Sequence, residues 1–84
     1  MLKNMRRKER LELGILKLGE IARRAGVLPS TIRYYSNLKL LKVCDYTQGK
    51  YRLFDEKDTL AKMARIKAMK EKGIELEDII KRMS

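Results

Sequence analysis

The sequence predicts a mainly α domain with one small β-hairpin, in the order helix-helix-hairpin-helix-helix. Three observations point there. Apolar residues recur at helical spacing before residue 42 and again after residue 54. Between them, 43-VCDYTQGKYRLF-54 is rich in β-formers. Gly26, Pro29, Gly49 and Gly73 punctuate the boundaries. At 84 residues the chain is too short for two independent cores.

Residues 1–17 read as a basic leader, either disordered or a short helix capped by Asn4 and ended by Gly14, with residues 18–84 as the folded domain. Leu18 to Ala25 reads as the first helix, with Gly19 as N-cap and Glu20 in the first turn, where the helix dipole favours an anion. Gly26 supplies a positive φ and a sharp break. Pro29 suits the first turn of a second helix, because its missing N–H would be unpaired there. That helix runs through Ser30, Thr31, Ile32, Arg33, Tyr34 and Tyr35 to about residue 37. Two helices joined by a tight glycine-containing turn form a helix-turn-helix candidate.

Val43 to Tyr46 and Lys50 to Phe54 read as two strands, with Thr47-Gln48-Gly49 as the turn and Gly49 placed for positive φ. A lone hairpin is marginal in water, so this one must pack on the helices and project its tip as a wing. Asp55 caps a longer helix that Gly73 stops, with Leu60, Met63, Ala64, Lys67 and Met69 on one side and Ile66 widening the face. Leu76, Ile79, Ile80 and Met83 give a last short helix.

Charge is polarised along the chain. The net charge is +10, and residues 1–54 hold 13 Lys/Arg against 4 Asp/Glu, whereas residues 55–84 hold 8 against 7. A basic surface of this kind suits a polyanion, nucleic acid first and an anionic membrane second. A single cysteine, Cys44, and no histidine exclude an internal disulfide and the usual zinc sites, and no cofactor is expected. Cys44 reads as a small packing residue. No serine has a histidine to activate it, and most carboxylates sit at helix starts, so an enzyme is not expected. Gly49-Lys50 lacks the upstream glycine and following hydroxyl of a phosphate loop. No apolar run spans a bilayer and no secretory signal is visible, so the expected compartment is the cytoplasm.

The candidate contact residues are Arg23, Arg24, Arg33, Lys50 and Arg52, because the turn, the second helix and the wing are each basic. Tyr34 and Tyr35 cannot both face the same way; one ring packs in the core while the other hydroxyl points outward to a phosphate.

The runs 18-LGEIARRAGVLPSTIRYYSNLKLL-41, 49-GKYRLFDEKD-58 and 71-EKGIELEDI-79 together resemble the N-terminal DNA-binding domain of MerR-family transcription regulators. The resemblance implies a winged helix-turn-helix, with a recognition helix over 29–37 in the major groove of double-stranded DNA and a wing over 43–54 on the backbone. It implies DNA contacts from Arg33, Tyr34, Tyr35 and Arg52, and with the basic and polar residues around them the expected contact set is Arg23, Arg24, Ser30, Thr31, Arg33, Tyr34, Tyr35, Lys50, Tyr51 and Arg52. The chain departs from the family pattern at Leu28, where a Ser or Thr cap is usual, at Ser36 in place of Glu, and at Lys39 in place of Gly. An apolar cap costs roughly 1 kcal/mol. The family's dimerisation helix and effector region are not present in these residues. Pairing with itself or with another regulator, an excisionase-like architectural role, and a protein-binding antirepressor role therefore stand as alternatives to a regulator acting alone.

Overall fold

The computed structural model describes residues 5–83. In chain order the elements are α1 (Arg7–Glu12), β1 (Ile15–Lys17), α2 (Leu18–Ala25), α3 (Pro29–Asn37), β2 (Asp45–Tyr46), β3 (Arg52–Asp55), α4 (Glu56–Glu71) and α5 (Leu76–Met83). The expected helix-helix-wing-helix-helix order is present, with α1 and β1 added ahead of it.

Helix α1 is the short helix the leader allowed, and Gly14 follows it at φ 72°; strand β1 is what corrects that reading. No structural break falls at residue 18, because β1 runs straight into α2. Strand β1 pairs antiparallel with β3, placing Ile15 opposite Asp55, Leu16 opposite Phe54 and Lys17 opposite Leu53. The hairpin is thereby one part of a three-stranded sheet of order β1-β3-β2. Three residues were too few for a period to show, and Leu16 is nonetheless fully buried. Helix α1 begins after Arg6; Asn4, the expected cap, lies outside the described residues.

The wing turn also differs from expectation. Lys50, not Gly49, takes the left-handed conformation, at φ 63°. The Lys50 N–H donates to the Thr47 carbonyl at 2.9 Å, and the Tyr51 N–H to Thr47 Oγ1 at 3.1 Å. At Gly49 a Cβ would lie 3.1 Å from the exposed Tyr51 ring, which would have to shift by a few tenths of an ångström.

Helix ends follow a common device. After α2, Gly26 N–H donates to the Arg23 carbonyl and Val27 N–H to Ala22; after α4, Gly73 and Ile74 pair likewise with Lys70 and Met69. After α3 the same paired hydrogen bonds run from Lys39 to Ser36 and from Leu40 to Tyr35, so Lys39 sits at φ 67°. Lys39, standing where the family pattern has Gly, is therefore mildly strained, because a non-glycine residue crowds its own Cβ in that region. At the other end of α2 the N-cap is Lys17 rather than Gly19, because β1 delivers the chain there already extended.

Leu16, Ile21, Ala22, Ile32, Tyr35, Leu40, Leu41, Phe54, Ile66 and Ile79 form one core that every helix from α2 to α5 enters. On α4 the buried line runs through Thr59 and Ile66, while Leu60 and Met63 are only partly covered. Ile66 is thus the centre of that face rather than its margin. Asp55 caps α4 as expected, its carboxylate accepting from the Asp58 N–H at 2.8 Å.

At the start of α3, Leu28 holds the N-cap position with no side-chain hydrogen bond and is 70% exposed. Replacing it loses little burial and gives the first-turn N–H groups an acceptor. Leu28→Ser should therefore raise unfolding free energy by about 1 kcal/mol, read as a higher urea midpoint with an unchanged slope.

Candidate nucleic-acid interface

Glu20 joins the first three elements. Its Oε1 accepts from the Lys17 N–H at 2.7 Å and from the Arg10 guanidinium at 3.1 Å, and its Oε2 from Arg7 Nε at 3.0 Å. Arg10 is almost fully buried and also donates to the Ile15 carbonyl at 3.0 Å, fixing α1 to β1. Burial opposes the charge on Glu20, but the Lys17 N–H and the two guanidinium groups outweigh it and hold the carboxyl down at about 2, from 4.5.

Helix α3 and the wing are fastened to each other by Arg52. Its guanidinium donates to Ser36 Oγ at 2.7 Å and reaches the Arg33 carbonyl at 3.4 Å, while Ser36 Oγ donates to the same carbonyl at 3.0 Å. Ser36, read from sequence as a loss of negative charge, is instead a buried bracket between helix and wing. Its small hydroxyl lets the arginine approach the helix backbone.

The two tyrosines part as expected. Tyr34 is half exposed and Tyr35 is buried, with their ring centroids 5.9 Å apart. Lys70 on α4 donates to the Tyr35 hydroxyl at 3.2 Å. Tyr35 therefore leaves the set of expected contact residues: its ring is core and its hydroxyl is engaged from within. Arg24, also expected in that set, is exposed but ion-paired with Glu56 at the start of α4.

A groove of about 480 Å³ opens between α2, α3 and the wing, and Arg23, Arg33, Lys50, Tyr51 and Arg52 all line it. Those four cations come from α2, α3 and the wing, and Lys17 of β1 is a fifth on the same wall. Ser30 and Tyr34 stand exposed elsewhere on α3, and Thr31 is half-buried on the side that faces α4. Lys17 also lines the groove, with its ammonium 5.4 Å from the centre of the Tyr51 ring. The sequence reading missed it, because nothing local marks a lysine ahead of a helix as part of a wing. Cys44 is exposed rather than packed, though its backbone N–H bonds the Leu53 carbonyl. Among the described residues no three His, Cys, Asp or Glu side chains gather as a metal site, and no helix is long and apolar enough to cross a membrane.

A family model described as MerR HTH family regulatory protein matches residues 16–84. The chain is 36% identical over 63 residues to the HTH-type transcriptional regulator ZntR of Escherichia coli, covering 75% of this chain and 44% of that protein. It is 37% identical over 65 residues to the mercuric resistance operon regulatory protein of Bacillus cereus, covering 77% of this chain and 48% of that one. The chain thus spans less than half the length of each. Among solved structures, HiNmlR, a MerR family regulator lacking the sensor domain and bound to promoter DNA, superposes with a TM-score of 0.70 at 25% identity, covering 82% of this chain and 54% of that one. A MerR family regulator from Bacillus cereus gives the same TM-score at 32% identity, covering 82% and 51%.

Two consequences of this geometry can be measured. Because the carboxyl of Glu20 is depressed in the folded state, its contribution to stability is full above its ordinary value of 4.5 and is lost as pH falls toward about 2. Acid titration of Glu20→Gln should therefore show a flatter loss of stability across that window than the parent. Tyr35→Ala should cost about 3–5 kcal/mol, whereas Tyr34→Ala should stay within about 1 kcal/mol; thermal melting of both variants separates the buried ring from the exposed one.

Proposed function

This chain belongs to the MerR HTH regulatory family, and from that premise we propose that it is a DNA-binding transcription regulator that reads double-stranded DNA with α3. In this reading Ser30, Arg33 and Tyr34 address the major groove and its bordering phosphates, with Thr31 set back toward α4, while the wing lays Lys50, Tyr51 and Arg52 on the flanking backbone. Arg23 adds a phosphate contact from the start of the helix-turn-helix. Tyr35 and Arg24 act indirectly, the first by packing α3 and the second by tying α2 to α4.

The observation that carries the reading is the convergence of Arg23, Arg33, Lys50 and Arg52 on one groove from three elements. Cations gathered along one exposed groove hold a layer of counterions, and a polyanion that displaces those counterions gains from their release. The promoter-bound relative with the same fold supports the choice of duplex DNA as that polyanion. The rigid bracket from Arg52 to Ser36 supports a grip in which helix and wing meet the duplex at a set angle. The role is one of binding rather than catalysis, since four of the five carboxylates on α4 and α5 stand in first turns, where they suit the helix dipole. The chain acts where the DNA is, and the proposed compartment is the cytoplasm.

Selection from a random pool of duplexes at near-physiological salt tests the proposal. A short enriched site is expected, and an inverted repeat would add pairing with a second copy. Loss of both enrichment and retention would sink the reading. On an enriched site, Arg33→Ala should cost about 1–3 kcal/mol and relax discrimination, whereas Lys50→Ala should weaken all sequences alike and shallow the salt dependence by about one. Fluorescence anisotropy across a salt series checks both.

A further inference from the structure

Helix α1 lies outside the region matched to the family, yet it borders a second hollow that continues the cationic groove. We propose that this hollow, between α1 and the wing tip, is an additional seat for a DNA backbone phosphate, gripped by Arg7 and Lys17. The inference rests on the DNA-binding reading above and extends it past the wing.

The hollow measures about 370 Å³, and Arg7, Lys17, Glu20, Thr47, Gly49 and Tyr51 are among its walls. Lys17, Glu20 and Tyr51 also line the groove that holds Arg33 and Arg52, so the two hollows share a wall. A strand of duplex backbone crossing the wing therefore passes from one into the other. Three cations line the hollow, Arg7, Arg10 and Lys17, against the single carboxylate of Glu20. That carboxylate is already satisfied by Arg7, Arg10 and the Lys17 N–H, and it does not leave the hollow acidic.

The three cations differ in what they can offer. Arg10 is buried and engaged with Ile15 and Glu20. The Arg7 side chain is 70% exposed and uses its Nε on Glu20, which leaves its two terminal amino groups without a protein partner among the described residues. Those four N–H groups form the fork that suits a phosphate. The Lys17 ammonium is held over the Tyr51 ring, at the junction of the two hollows. Because Arg10 locks α1 onto β1, Arg7 is presented from a fixed element rather than from a loose tail.

The test is the salt dependence of binding by the whole chain to a random-sequence duplex of about two helical turns. Arg7→Ala should shallow the slope of log affinity against log salt by about one, and Arg7→Ala with Lys17→Ala by about two. Arg7→Lys should restore most of the slope, and circular dichroism should show each variant folded. Lys81→Ala with Arg82→Ala on α5, which borders neither hollow, removes equal charge and should leave the slope unchanged. A parental slope in a folded Arg7→Ala variant, or an equal change in the α5 control, overturns the phosphate seat while leaving DNA binding intact. Absence of binding by the parent chain overturns both.

Discussion

Strand β3 has a neighbour on each side, β1 covering one edge and β2 the other, and the rest of the domain is arranged around that fact. A two-stranded ribbon exposes too much backbone for its small buried area to hold it in water. Here Leu53 and Phe54 are both fully buried, and Phe54 stands opposite Leu16 of β1 within the common core. The pairing holds the start of α2 and the base of the wing in one rigid frame. It also places Asp55 directly at the cap of α4, with the Glu56 N–H bonded to the Gly14 carbonyl at 2.8 Å. Every element that carries a candidate contact residue is therefore referred to a single strand.

The cations of this chain divide into those that build the protein and those left to act on something else. Arg10 is a buried strut, Arg24 ties α2 to α4, and Lys70 steadies the Tyr35 hydroxyl. Arg52 does both, because it brackets α3 to the wing while lining the groove. Arg23, Arg33 and Lys50 stay exposed at the groove. Net charge alone would treat all of these as equivalent, although removing a buried strut unbalances its carboxylate partner and removing an exposed cation does not.

Helix α3 is held more by its surroundings than by its own ends. Its N-cap side chain is apolar and its C-terminal turn forces Lys39 into a left-handed conformation. Both are local costs. They are offset by the burial of Ile32 and Tyr35 and by the Ser36–Arg52 bracket. A helix secured in this way keeps its exposed face free for other partners, since neither Arg33 nor Tyr34 is needed to hold it down.

Much of the architecture was legible in the sequence. The bounds of α2 and α5, Pro29 at the start of α3, Asp55 as a cap, and Gly26 and Gly73 as stops follow from propensity and turn chemistry within a few residues of each position. The split between Tyr34 and Tyr35 was legible too, because adjacent residues on a helix point in different directions. Strand β1 was not, since three residues carry no period and form a strand only when β3 arrives from about 40 positions away. Nor was the division of the cations, because Arg52 meets Ser36 across 16 residues and Lys70 meets Tyr35 across 35. The sequence by itself determined where most of the helices after residue 17 begin and end, and that the first two thirds of the chain would be basic. Which side chains face the core, and which cations remain free, only the tertiary structure decided, because those choices depend on partners that chain closure brings together.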